Sequence, residues 1–363
     1  MVKRLAIGLA VVGAVAGLWI GLLVQSQQNR ASAPRPSPIV HRFEVDRVWT
    51  CEKADTENGK FYKRCRCDED YFRRLFSKIP PGGVDSTPHA IGGETVLIQS
   101  KQAAPLVDRP SVDQMKAEVT RRLAIETVFG AGVEKDMTVI ETRRWRQNGS
   151  EAREILLVDD LVGEIKIILL VPNGLTPIGG FPAVIGLHGH PGCAEDFLHN
   201  FNGDKLARQG FVVLMPSFRV MCADGNESRL AKSALQHGTS LLAIRVYETI
   251  RALTYLKTLD YVNPTRISLI GHSGGGSIAN VMRWLDVGLA AVCLDDWPAK
   301  YFQVGQVLSV VPGDAMPALP DISRFLISDV EKFSPIPTKV FPYGFPEGVE
   351  PIVSFLRSGR RGR

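Results

Sequence analysis

The chain has 363 residues, 45% of them hydrophobic and 22% charged, a globular balance that supports a substantial core. Its net charge of +5 is small for this length and partly terminal, through Arg357, Arg360, Arg361 and Arg363. The basic residues form no aromatic-interleaved patch, so nucleic acid is not an expected partner.

Residues 1–38 stand apart. Lys3 and Arg4 precede an uncharged apolar run from Leu5 to Val24, close to the ~20 residues that a bilayer-crossing helix needs. The run is longer than the apolar stretch of a cleaved signal peptide. Ala31-Ser32-Ala33 has the small-x-small pattern of a cleavage site, but it lies well past the run and Pro34 follows it. The expectation is an uncleaved single-pass signal-anchor. Its positive end stays inside and the C-terminal domain is exported, periplasmic or extracellular. Gln25 to Pro38, polar and then proline-alternating, reads as a stiff linker.

Residues 39–142 read as an N-terminal accessory segment. Up to about residue 110 the pattern is irregular, rich in charge, Gly and Pro, and interrupted by Ile79-Pro80-Pro81-Gly82-Gly83. Ser111 to Phe129 then reads as a helix, opened by a capping box of Ser111 and Gln114 and stopped by Gly130 and Gly132. Six cysteines in an exported chain permit disulfides, although their connectivity is not readable. Cys51, Cys65 and Cys67 cluster here, but the spacing lacks the second close pair and adjacent histidine of a metal site. No metal and no cofactor is expected.

From about Arg143 to the C-terminus, strands alternate with helices, the pattern of a mostly parallel α/β sheet. Glu154–Val158 and Glu164–Val171 read as paired edge strands. Pro182–Leu187 is a buried strand that runs into His188-Gly189-His190-Pro191-Gly192. A helix near Asp204–Gln209 leads to the strand Phe211–Met215, and Ser233 to Leu259 reads as one long helix. Ile267–Ile270, Gly275–Leu285 and Ala290–Leu294 follow as strand, helix and strand.

The chemistry gathers at the ends of these strands. Gly271-His272-Ser273-Gly274-Gly275, entered from a β-branched run, is a nucleophile elbow with Ser273 at its apex. A serine hydroxyl is a poor nucleophile until a base takes its proton. The helix that follows points its N-terminus at the site and favours negative charge there. The backbone N–H groups of Gly274 and His190 are the candidate oxyanion hole. Asp295 and Asp296 end the next strand, and Asp295 is the favoured acid, with Asp296 and Asp329 as alternatives.

These pieces resemble the α/β-hydrolase superfamily from Gly180 to Trp297, most of all dienelactone-hydrolase and acetyl-xylan-esterase-like proteins. They are also similar to platelet-activating-factor acetylhydrolases. The blocks that carry the resemblance are His-Gly-His at 188–190, Gly-Phe-Val-Val-Leu-Met-Pro at 210–216, the elbow strand at 266–276, and Leu-Asp-Asp-Trp at 294–297. The resemblance implies a serine carboxylic-ester hydrolase acting on a small-molecule ester, with a histidine base arriving after the nucleophile and acid. Yet all seven histidines (His41, His89, His188, His190, His199, His237 and His272) precede Ser273. The segment from Thr338 to Leu356 reads as the closing strand, loop and helix, with Tyr343 roughly where the histidine would stand. In another register Thr338–Phe341 is the preceding strand and the chain ends one strand short. Tyrosine is a poor proton acceptor when neutral. Two functions therefore remain open: an esterase with its base in an unusual position, at His188 or His190, and a catalytically silent, anchored binding or scaffold protein.

Overall fold

The computed structural model describes residues 49–54, 62–67, 75, 77–79, 112–123, 129–130, 135–295 and 334–358, except 191, 220, 222–226, 238, 286, 343, 346 and 347. The expected anchor and linker lie outside these residues. Among the described residues no helix is long and apolar enough to cross a membrane.

Strands β1 (Trp49–Ala54) and β2 (Tyr62–Cys67) pair antiparallel in a separate sheet, in the stretch where the sequence reads as irregular. Their register sets Cys51 opposite Cys65. Helix α1 (Val112–Leu123) contributes Val119 and Leu123 to the main core. The main sheet begins with β3 (Thr138–Gln147), β4 (Ser150–Asp159) and β5 (Gly163–Pro172), an antiparallel meander. β3 spans the expected boundary near residue 143, because it pairs along most of β4. Then come β6 (Phe181–Leu187), α2 (Ala194–Asn200), α3 (Gly203–Arg208) and β7 (Val212–Ser217). Helices α4 (Glu227–Gln236) and α5 (Leu241–Thr258) lead to β8 (Val262–Gly271) and α6 (Gly274–Met282). The chain closes with β9 (Ala291–Asp295), β10 (Thr338–Phe341) and α7 (Glu350–Ser358).

Eight strands lie in the order β10-β9-β8-β6-β7-β5-β4-β3, and the five from β10 to β7 are parallel. Side chains alternate between two faces. In β5, Ile165, Ile167 and Leu169 join the core beneath α5 and α6, while Ile168 and Leu170 join the one beneath α2, α3 and α7. The period of two explains why the central strands read as continuous apolar runs, since both faces are covered. From β6 the chain moves one way to β7 and then crosses back to β8 on the other side. That reversal makes the carboxyl ends of β6 and β8 a topological switch point, the place where open α/β sheets form a ligand-binding crevice.

The expected long helix from Ser233 to Leu259 is two helices. Its apolar spacing is helical on both sides of the break, but Ser240 is extended (φ −130°, ψ 155°) and caps α5, its Oγ accepting from Ala243 N–H at 3.0 Å. Along α5, Arg245, Glu248 and Arg251 recur every three residues on one buried stripe. Arg245 pairs with Glu227 of α4, Glu248 with Arg219 after β7, and Arg251 with Asp159 at the end of β4. Tyr247 also donates to Asp159, at 2.9 Å. Removing one partner of such a pair leaves a buried charge and costs about 3–5 kcal/mol.

The cap gives a first test. Ser240→Ala should lower stability by about 1 kcal/mol, seen as a lower urea midpoint with unchanged slope. A Ser240→Asp variant, which restores an acceptor, should recover most of that loss.

Candidate active site

β8 delivers the chain into the elbow. Ser273 has φ 49° and ψ −116°, a left-handed backbone conformation that a serine occupies only under strain. The turn needs its glycines for lack of space. A Cβ at Gly275 would lie 2.3 Å from the Leu187 carbonyl oxygen. Gly274 is the first residue of α6, so its N–H has no intrahelical carbonyl to bond.

Strand register brings the other pieces level with the serine. Leu187 of β6 pairs with Gly271 of β8, which sets His188 beside His272 and Gly189 beside Ser273. The approach is close: a Cβ at Gly189 would fall 2.6 Å from Ser273 Cβ. His188 is fully buried with both ring nitrogens engaged. Its Nε2 accepts from Phe218 N–H at 3.0 Å, so its Nδ1 carries the hydrogen and donates to Gly189 O at 3.1 Å. Burial pushes its pKa down to about 3, which keeps the ring neutral. His190 turns its ring toward α4, with Nε2 2.9 Å from Glu227 Oε1. Burial works to raise the pKa of Glu227, but the charge of Arg245 and the bond from His190 outweigh it and hold the carboxyl below its ordinary range.

Asp295 is buried at the end of β9. Its Oδ1 accepts from Ser273 N–H at 3.1 Å, and its Oδ2 lies 2.5 Å from His272 Nδ1. Gly344 N–H, from the loop after β10, donates to the same Oδ2 at 3.3 Å. The loop after β10 therefore reaches the carboxylate. Tyr343 itself, Asp296 and Asp329 lie outside the described residues. The ring of His272 lies on the α2 side of the sheet, stacked on Phe201 with centroids 3.9 Å apart.

Sequence reasoning did not anticipate Glu227, Arg245, Asp196 or the partnership of His272. A period of two along β8 does predict the face that His272 takes, since it follows Ile270. Nothing local signals Glu227, which arrives from 37 residues away.

Residues 174–293 match the model of the dienelactone hydrolase family. The fold is that of the α/β hydrolases. YtaP of Bacillus subtilis, a protein named as a hydrolase, is 28% identical over 197 residues, covering 50% of this chain and 64% of its own. The match thus spans less than two thirds of that relative. A structure titled as an acetyl xylan esterase from Bacteroides fragilis aligns with 15% identity over 69% of this chain and 72% of its own, at a TM-score of 0.48. The acetyl xylan esterase from Paenibacillus sp. R4 aligns with 16% identity over 70% and 96%, at a TM-score of 0.45.

Asp196, at the start of α2, yields a pH test. Burial raises its carboxyl to about 6 despite bonds from Cys193 N–H and Asn200. A raised acid favours the protonated native state, so its contribution is complete below the unfolded pKa, near 4, and is lost as pH rises through about 6. Asn at this position keeps an acceptor for Cys193 without the titration. The melting temperature of Asp196→Asn should therefore gain on wild type between about pH 4 and pH 7.5.

Proposed function

We propose that the protein is a serine carboxylic-ester hydrolase held at a membrane by its N-terminal segment. The observation that carries this reading is the strained backbone of Ser273 at the switch point between β6 and β8. Strain of about 1–3 kcal/mol persists only where the surroundings enforce it, and such residues gather at active sites. The dienelactone hydrolase match over residues 174–293 supports a small-molecule ester as substrate.

In this reading Ser273 Oγ attacks the ester carbonyl carbon. The N–H groups of Gly274 and His190 receive the developing oxyanion, each donor contributing about two to three orders of magnitude in rate. Collapse expels the alcohol, and water then releases the acid from the acyl-enzyme. Asp295, the acid expected from the sequence, works here on the elbow itself, through Ser273 N–H and His272. The membrane part rests on Leu5–Val24 and its flanking Lys3 and Arg4, with the hydrolase domain exported.

A second reading, a silent fold that binds or scaffolds, is favoured by one specific observation. Every histidine precedes the nucleophile, and Asp295 already serves His272, Ser273 and Gly344.

Two tests follow. Wild-type protein should react with a fluorophosphonate probe and hydrolyse p-nitrophenyl acetate, and Ser273→Ala should do neither. Gly189→Ala, whose methyl displaces the serine, should cut turnover about a hundredfold without unfolding the chain. Activity that appears only in Tyr343→His would favour the silent reading. For the anchor, sequencing the mature N-terminus should find residues 1–33 present. A start at Pro34 would mean a cleaved signal.

A further inference from the structure

Resting on the anchor reading of Leu5–Val24, we propose that the loop between β5 and β6, residues 173–180, is a second membrane contact. Leu175 and Ile178 enter the lipid interface, and basic residues around them meet anionic headgroups. The hydrolase domain would then lie with one end on the bilayer and Ser273 at the other.

Among the described residues three large apolar side chains are exposed: Val139 at 39%, Leu175 at 96% and Ile178 at 100%. The last two stand three residues apart in one loop. Single exposed apolar residues are ordinary, but this loop holds its own rigidly outward. Gly180 N–H donates to the Pro177 carbonyl at 2.9 Å, and Gly179 has φ 82°, the value for the third position of a type II turn. Ile178 is therefore at the tip of a closed turn. The base of that turn is fixed against the start of β8. A Cβ at Gly180 would lie 2.7 Å from Asn263 N, and Phe181 N–H donates to the Tyr261 carbonyl at 2.8 Å.

The surrounding charge suits an anionic surface. Arg146 donates to Asn173 Oδ1 of the loop itself, at 2.6 Å. Arg208, Lys257 and Arg357 are exposed at the same end of the sheet, just before β7, at the end of α5, and bonded to the Gln209 carbonyl. Asp260 is the exposed acid there, whereas Asp204 and Glu151 are less exposed and pair with Arg208 and Arg153. Apolar side chains flanked by Lys and Arg are the pattern of a surface that lies in the lipid interface.

Lipid fits this surface better than a protein does. Two side chains on a convex turn fall far short of the ~1,000 Å² that a stable protein interface buries. A tethered domain needs much less, because its anchor keeps the loop at high effective concentration beside the bilayer. Residues 25–48 can extend to about 80 Å, so the tether by itself sets no orientation. The loop would set it. β6 leads from the turn to Leu187, which pairs with Gly271 just before the elbow. Seven residues of strand put roughly 20 Å between the lipid face and Ser273. The nucleophile would then open to water, and its ester would arrive from solution and not from the bilayer.

The test uses the full-length protein in vesicles of phosphatidylcholine and phosphatidylglycerol. Ile178→Trp should lose fluorescence when the acyl chains carry bromine, beyond the loss that wild type shows from its native tryptophans. Val139→Trp, toward the other end of the sheet, should show no such excess. Leu175→Asp or Arg146→Glu, added to Ile178→Trp, should reduce the quenching, as should vesicles of phosphatidylcholine alone. Melting temperatures of the Leu175 and Ile178 variants should match wild type, since both side chains are exposed. In vesicles that retain the protein, quenching of Ile178→Trp no greater than that of Val139→Trp would overturn the contact and leave the anchor standing. A blue-shifted Ile178→Trp spectrum that bromine does not quench would show that a protein covers the loop, and would overturn the lipid assignment. Wild-type protein that does not float with the vesicles would overturn anchor and contact together. No readout depends on turnover, so loss of the esterase reading would leave these outcomes unchanged.

Discussion

Three separate stretches of chain meet at the carboxylate of Asp295: the end of β9, the elbow, through the ring of His272 and the backbone of Ser273, and the loop after β10. The arrangement follows from register. Gly271 pairs with Leu294, so the next residues, His272 and Asp295, come level as the strands end. Phe341 pairs with Asp295, which starts the last loop at the same height and lets Gly344 reach it. A hydrogen bond to a charged group contributes about 1.5–3 kcal/mol, comparable to the cost of holding Ser273 in a left-handed conformation. The carboxylate can therefore offset the strain of the elbow, and the elbow fixes where α6 begins.

The opposite side of the elbow is organised by buried charge. Three ion pairs on one stripe of α5 connect that helix to α4, to the segment after β7 and to β4. Ion pairs this buried add little net stability, because desolvation consumes most of their attraction. They do specify geometry. Arg245 can satisfy Glu227 only when α4 and α5 pack in one relation, and that relation brings Glu227 to His190. A break between the helices makes this possible, since an unbroken helix would carry residues 227 and 245 along one axis and not side by side.

The two sides have different consequences for chemistry. On the Asp295 side, hydrogen bonds lock backbone, which suits the positioning of a nucleophile. On the Glu227 side, a carboxylate meets an imidazole next to the residue that packs on the serine. Histidine–carboxylate pairs flank the elbow on both sides. The alternation of β8 sends His272 toward α2, and His190, beyond the end of its strand, turns its ring toward α4.

Much of this was written locally. The β-branched run into Gly-x-Ser-x-Gly determines a strand, a sharp turn and a helix, because only glycine tolerates the close approach of Leu187. The apolar runs of β5, β6, β7 and β8 determine strands covered on both faces, and the order of strands and helices determines the α/β class. A sequence also determines an absence: no histidine follows Ser273. What only the tertiary structure decided depends on pairing between distant residues. One helix ends at Gln236 and Ser240 caps the start of another, although the apolar period continues through both. Asp295 turns to the elbow because β8 and β9 pair in one register. Glu227 reaches His190 because two helices pack side by side. Periodicity reports which face a residue takes within its own element; which distant residue it meets there is set by strand register and helix packing, which no local pattern encodes.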